Sequence, residues 1–143
     1  MKFKASITKP SLKSFLSYYE TLAELQRQSL AIAALEVRNE AIKLLNDNSD
    51  GPKQTRYGPK RSVNVSPPGS PPNTDTGRLV QSIKVDKQGN SYLIGTNLIY
   101  GAHLEFGTKD MAPRPWLSVA LKTVSGKMEE ITERVFKKFK GGK

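Results

Sequence analysis

The segment that most constrains this chain is residues 100–121, YGAHLEFGTKDMAPRPWLSVAL. Its first part predicts a short helical turn, and Gly107 stands where a left-handed C-cap would end that turn, because glycine adopts positive φ without a Cβ clash. Pro113 and Pro115 prevent the turn from continuing, and the fixed φ of Pro115 suits the first position of a new helix. We therefore predict a rigid corner that sets the direction of a C-terminal helix.

A second motif lies upstream of this corner, in residues 67–83, PPGSPPNTDTGRLVQSI, one hairpin-length segment away. Together the two motifs resemble a family of small tailed-bacteriophage proteins from the head-to-tail junction, described as neck, tail-completion or minor tail components. The resemblance covers about residues 20–125. The matching residues are Asp75, Thr76, Gly77, Leu79, Ser82, Ile83, Tyr100, Ala102, Leu104, Glu105, Phe106, Gly107, Thr108, Met111, Pro113, Arg114, Pro115, Leu117, Ala120 and Leu121.

The resemblance implies an α+β fold, with long N-terminal and C-terminal helices packed on a small, mainly antiparallel sheet. It also implies a structural virion protein without enzymatic activity, a ring subunit that joins the capsid connector to the tail and lets DNA pass. The implied partners are further copies, expected to form a hexamer, and the neighbouring connector or head-completion and tail-tube or tail-terminator proteins. A close alternative is the tail terminator that caps the tail tube. Synthesis is expected in the cytoplasm of the host bacterium.

Length and composition support one domain over residues 1–143, because a chain of this size buries about two thirds of its unfolded surface in a single core. No apolar run approaches the roughly 20 residues of a membrane span, and the first ten residues lack the apolar core of a secretory signal. The chain has no cysteine, which excludes disulfides, thiolate nucleophiles and cysteine-ligated metals.

The formal net charge of +10 predicts an anionic partner or high solubility. One basic cluster lies in the segment after the first helix, and a second lies at the C-terminus. Docking to an acidic neighbouring protein or simple solubility is favoured over contact with DNA in transit. The alternative of another class is a small basic nucleic-acid-binding module. The candidate contact residues of the first cluster are Lys53, Arg56, Lys60 and Arg61, and the second cluster is Lys137, Lys138, Lys140 and Lys143.

Residues 10–48 predict a helical region, preceded by an arm over residues 1–9 that either adds a strand or trails. Spacings of four and three place one set of apolar residues on a single stripe. An earlier set follows a different phase, which predicts a bend or break near residues 26–29. The stripe is Leu30, Ala34, Val37, Ala41 and Leu44, and the earlier set is Phe15, Tyr19, Leu22 and Leu25.

Residues 49–75 predict an extended, proline-rich and basic loop, which either reaches a neighbouring subunit or is mobile. In residues 76–108 we expect a short turn capped by Asp75 or Thr76, a hairpin and the start of the corner. The hairpin pairs the alternating Ile83 and Val85 with Tyr92 and Ile94 across a turn at residues 87–90. A further strand near residues 98–100, or from the N-terminal arm, should widen the sheet.

Residues 115–140 predict one C-terminal helix with a continuous apolar stripe. The stripe is long for a small sheet, so its far end either contacts another subunit or packs on the first helix. Its members are Leu117, Leu121, Val124, Met128, Ile131, Val135 and Phe139.

The sequence offers little for catalysis or metal binding. His103 and Glu105 lack a third ligand and would lie on different sides of a helical turn, so we expect no metal, cofactor or catalytic residue. An ion pair between Glu105 and Arg114 would instead hold the corner. Aromatic and arginine side chains of the corner could support a subunit contact, with core packing as the equally weighted alternative. The candidates are Tyr100, Glu105, Phe106, Arg114 and Trp116.

Overall fold

The computed structural model describes residues 12–47, 51–57 and 60–141, so the expected N-terminal arm at residues 1–9 lies outside the described residues. Helices and two antiparallel two-stranded sheets confirm the α+β class. The elements are α1 Leu12–Asn46, β1 Lys53–Tyr57, β2 Lys60–Asn64, α2 Arg78–Ser82, β3 Lys84–Gln88, β4 Ser91–Gly95, α3 Ile99–Phe106, α4 Leu117–Ser125 and α5 Met128–Gly141.

Helix α1 is continuous over 35 residues, so the predicted bend or break near residues 26–29 does not interrupt it. Ser29 is buried there, and its hydroxyl donates to the carbonyl oxygen of Leu25 at 2.9 Å, which satisfies it within the helix. Residues 12–20, at the start of α1, are all exposed. Packing therefore sets no phase for that part of the helix.

The second half of α1 is the support for the rest of the described chain and contacts α4, α5, β3 and β4. Small residues on the predicted stripe let the other elements approach closely, and Ala41 is fully buried. Leu45 replaces the predicted Leu44 as the buried residue of the last turn, and Leu30 is 44% exposed. The core consists of Val37, Ala41, Leu45, Leu79, Ile83, Trp116, Ala120, Val124 and Ile131.

The β3–β4 hairpin confirms the predicted pairing, with Val85 opposite Ile94. Only Gly89 and Asn90 separate the strands, and Gly89 has φ 59°, the left-handed conformation that tight hairpin turns require. The expected extra strand near residues 98–100 is wrong, because α3 begins there. Among the described residues this sheet has two strands, and α1 lies against both of them.

The first half of the predicted extended loop is a hairpin, β1–β2. The prediction of an irregular loop over residues 49–75 is therefore wrong for that half. Pairing starts where the N–H of Val65 donates to the carbonyl oxygen of Pro52 at 3.0 Å. A Cβ on Gly51 would overlap the carbonyl oxygen of Val65, so glycine permits this close approach. The strands were missed because they carry charged residues instead of an apolar alternation. Residues 65–77 contain no helix or strand, as predicted.

The C-terminal segment forms two helices, α4 and α5, and the prediction of one uninterrupted helix is wrong. Gly126 follows α4 with helical dihedral angles, φ −66° and ψ −17°. Burial continues from Val124 to Ile131 across the interruption, whereas Leu121 is 53% exposed. Both helices contact α1. The apolar stripe of the C-terminal segment therefore packs on the first helix, which is one of the two predicted alternatives. None of the described helices is both long and apolar enough to span a bilayer.

Candidate functional site

The corner is the segment of residues 107–115 that joins α3 to α4, and Glu105 holds it from the last turn of α3. The Glu105 carboxylate accepts hydrogen bonds from the N–H groups of Trp116 at 2.8 Å, Leu117 at 2.9 Å and Ser118 at 3.0 Å. These groups are the unpaired donors at the start of α4. One carboxylate therefore caps a helix whose N-cap residue lies eleven residues further along the chain.

This environment lowers the pKa of Glu105. Partial burial raises that pKa, but hydrogen bonds from the Ser118 side chain and from the three N–H groups outweigh the burial, so the net pKa is below its ordinary value. The predicted ion pair between Glu105 and Arg114 is wrong, because the helix start supplies several aligned donors for the carboxylate. Arg114 instead donates from Nε to the carbonyl oxygen of Ser66 at 3.0 Å.

Backbone hydrogen bonds order the corner itself. Thr108 and Met111 form an isolated bridge with N–H to carbonyl distances of 2.8 and 3.3 Å, and the N–H of Arg114 donates to the carbonyl oxygen of Leu104 at 2.7 Å. The predicted positive φ of Gly107 is confirmed at 77°, but its ψ of −179° differs from the expected left-handed helical C-cap. A Cβ at Gly107 would lie 2.7 Å from the carbonyl oxygen of Met111.

Trp116 belongs to the core, with 1% of its surface exposed, which is the core-packing alternative of the prediction. Its indole Nε1–H donates to the carbonyl oxygen of Gly101 at 3.3 Å, which joins α4 to α3. The other two aromatic candidates are available at the surface, because Tyr100 is 40% and Phe106 is 80% exposed. The extent of burial thus distinguishes the aromatic candidates for a subunit contact, which the sequence alone could not rank.

The motif at residues 75–83 meets the corner around one cavity of about 400 Å³. Asp75 and Thr76 line this cavity, but the predicted cap is wrong, since the N-cap position of α2 is Gly77 with φ 74° and no side-chain cap bond. The other lining residues are Leu45, Val63, Asn64, Val65, Ser66, Pro72, Asn73, Thr74, Gly77, Arg78, Leu79, Val80, Tyr100, Leu104, Met111 and Arg114.

Thr74, which the sequence analysis did not single out, attaches this motif to the end of α1. Its hydroxyl donates to the carbonyl oxygen of Leu45 at 2.6 Å, and its N–H donates to the same oxygen at 3.0 Å. The last turn of α1 leaves such carbonyl groups unpaired, and Thr74 satisfies one of them. The sequence offers little indication of these hydrogen bonds, since it shows only a threonine that follows a proline-rich segment.

The basic candidates lie on the β1–β2 hairpin, where Arg56 is opposite Arg61 and Lys53 is opposite Asn64. Lys60, the first residue of β2, pairs with Tyr57. The structure therefore places all four candidate cations on one hairpin, which the sequence had assigned to a loop.

His103 is exposed on α3, while Glu105 is engaged at the start of α4. In the described part of the chain, no three His, Asp or Glu side chains come close enough to share a metal ion. The Glu105 carboxylate positions the start of α4.

The first turns of α1 expose several large apolar side chains. We call residues 12–20, all of which are exposed, the α1 arm. Phe15 and Tyr19 contact each other along it, with ring centroids 5.2 Å apart. Its large apolar side chains are Leu12 at 74%, Phe15 at 51%, Leu16 at 52%, Tyr18 at 63% and Tyr19 at 60% exposure.

No protein-family model, curated protein or solved structure matches this chain.

Proposed function

We propose that this chain is a structural subunit of the bacteriophage neck, a ring component that joins the capsid connector to the tail and allows DNA to pass. The α1 arm is the observation that carries this proposal. A soluble monomer rarely exposes so many large apolar side chains together, and such a patch marks a surface that another protein covers.

The length of the arm supports an assembly role. Nine helical residues extend about 14 Å, since each residue adds about 1.5 Å. The arm continues the 35-residue α1, and a partner surface would bury its apolar side chains. In a neck, that surface belongs to a neighbouring copy or to the connector or tail protein above or below the ring.

The spatial arrangement of the two motifs also supports the proposal. Residues that carry the resemblance come from distant parts of the chain and line a single cavity, including Leu79 from the first motif and Leu104 from the second. A Cβ added to Gly101 would lie 3.2 Å from the Leu79 side chain, which shows how closely the motifs pack. The motif residues therefore cooperate in one structure, as expected of a shared assembly site.

The test is removal of the gene from a phage that encodes this chain. We expect filled heads and separate tails to accumulate, and expression of the wild-type chain in trans should restore joined particles. Mass spectrometry and electron microscopy of purified virions should place the protein at the junction. Infectious particles that lack the protein would overturn the proposal, while tails of uncontrolled length would identify a tail terminator instead.

A nucleic-acid-binding module predicts a different result. Such a protein would bind duplex DNA tightly, lose affinity steeply as salt increases and remain monomeric at high concentration. We expect this chain to bind duplex DNA only weakly, through the β1–β2 hairpin. Titration with duplex DNA at two salt concentrations, together with light scattering to measure the oligomeric state, distinguishes the two functions.

A further inference from the structure

Helix α3 has two opposite faces, and the outer face is exposed. Residues at spacings of three, four and seven share one side of a helix. Ile99 is 77% and Phe106 is 80% exposed, seven residues apart, and both residues between them on that side are exposed. The outer face is Ile99, Ala102, His103 and Phe106, and the inner face is Tyr100, Gly101, Leu104 and Glu105.

The ordered corner adds a carboxylate next to the outer face. Asp110 is exposed within the loop that the Thr108–Met111 bridge closes, four residues after Phe106. Among the described residues, its carboxylate has no ion-pair partner. One rigid segment therefore presents an aromatic ring and an anionic group.

The cavity beside the corner has complementary chemistry. Its walls include apolar side chains of both motifs, and its volume of about 400 Å³ has room for an aromatic ring. Arg78 and Arg114 line it against a single carboxylate, that of Asp75, so the lining has a net positive charge. A cavity with apolar walls and a cationic lining suits an apolar group with an anionic group beside it.

We propose that the outer face of α3, together with Asp110, docks into this cavity on a second copy of the chain. Phe106 enters between the apolar walls, and the carboxylate of Asp110 meets the arginine side of the cavity. This inference rests on the proposed function and names the two surfaces that join its subunits.

The geometry of α3 sets the symmetry of this contact. Tyr100 and Leu104 line the cavity from the inner face, whereas Phe106 lies on the opposite side of the same helix. Each copy therefore offers its docking group in one direction and its cavity in the other. Such a head-to-tail contact continues from copy to copy and closes into a ring when the rotation permits it.

Two variants test the two surfaces separately. Phe106→Ser removes the docking group, and Arg78→Glu reverses a charge at the cavity; both positions are exposed, so we expect the fold to remain. Leu93→Ser is the matched control, because Leu93 is 57% exposed on β4 and does not line the cavity. Circular dichroism and thermal unfolding check the fold of each variant.

Light scattering over a concentration series gives the result. We expect the wild type and Leu93→Ser to self-associate at the same protein concentration. Phe106→Ser and Arg78→Glu should each require at least about a tenfold higher concentration to self-associate. Wild-type assembly that neither variant weakens, or that all three weaken equally, overturns the docking. A wild type that remains monomeric throughout overturns it as well.

Mixing the two weakened variants provides the decisive observation. Phe106→Ser keeps an intact cavity and Arg78→Glu keeps an intact docking face, so together they should form a one-to-one pair while each alone stays monomeric. Absence of that pair contradicts docking between these surfaces. The neck proposal fails on different evidence, namely virions that lack the protein, so the two failures are distinguishable.

Discussion

The carboxylate of Glu105 accepts a hydrogen bond of 2.8 Å from the backbone N–H of Trp116. Trp116 is the N-cap residue of α4 and has no side-chain cap bond of its own, so a residue of the preceding helix performs the capping. The same carboxylate binds the next two N–H groups. The end of α3 and the start of α4 are thus held at a set angle by one side chain.

Glu105→Ala should destabilise the protein, because the three N–H groups would lose their acceptor. Replacing a capping residue by alanine costs about 0.5–2 kcal/mol, and a charged acceptor places the expected loss near 2 kcal/mol. Urea denaturation of the variant beside the wild type measures it. Glu20→Ala, at an exposed position of α1, is the control and should leave stability nearly unchanged. Equal losses in both variants would contradict a capping role.

Acidification should remove the contribution of Glu105. Its pKa in the folded protein is lowered from the ordinary value of 4.5, so the unfolded chain binds the proton at a higher pH than the folded chain does. The stabilisation is therefore complete above about pH 5 and declines as the pH falls through 4.5 towards the folded pKa. We expect the difference in unfolding free energy between the wild type and Glu105→Gln to shrink from pH 7 to pH 3. The exposed Glu24, whose pKa is also lowered, is present in both proteins and cancels. A difference that is constant with pH would refute this assignment.

Gly101→Ala should disturb the contact between α3 and the core. Its Cβ would lie 2.6 Å from Cγ2 of Thr96 and 3.2 Å from Cδ1 of Leu79, closer than packed atoms tolerate. Overpacking of this kind costs about 1–3 kcal/mol. Gly95→Ala is the control, because a Cβ there meets no atom within 4 Å. Thermal unfolding of both variants gives the comparison, and a stable Gly101→Ala would show that Thr96 moves aside easily.

Trp116→Ala should impair folding and thereby assembly, because the side chain is buried and its removal leaves a large cavity. Such substitutions cost about 3–5 kcal/mol. Neutralising Lys137 and Lys138 with glutamine should change neither property, since both side chains are exposed and the ion pair of Lys137 with Glu133 lies at the surface. Chemical denaturation and light scattering of both proteins test this contrast. Similar defects in the two variants would refute it.

Sequence patterns predicted those elements whose stability depends on residues close by in the sequence. The β3–β4 hairpin followed from the alternation of Val85 and Ile94 with polar residues and from a glycine in the turn, and both features act within a few residues. The β1–β2 hairpin lacks that alternation, and it was missed. The predicted bend or break does not interrupt α1, because a change of apolar phase matters only where side chains pack.

The candidate site was predicted in part. The glycine and prolines of the corner were identified, since their backbone constraints need no partner. The roles of the side chains were not identified. The sequence allowed the Glu105 carboxylate two partners, the Arg114 side chain and the backbone N–H groups at the start of the next helix, and both partners belong to the same short segment. Trp116 was equally compatible with a surface contact and with the core.

The sequence by itself determined where the first helix, the β3–β4 hairpin and the corner would form, because hydrogen bonding and steric limits within a few residues decide such elements. Only the tertiary structure decided that Glu105 caps α4, that Trp116 is buried and that Phe106 remains exposed. Those outcomes depend on which surfaces meet across distant parts of the chain. Burial and hydrogen-bond geometry are properties of that arrangement, and no local pattern contains them.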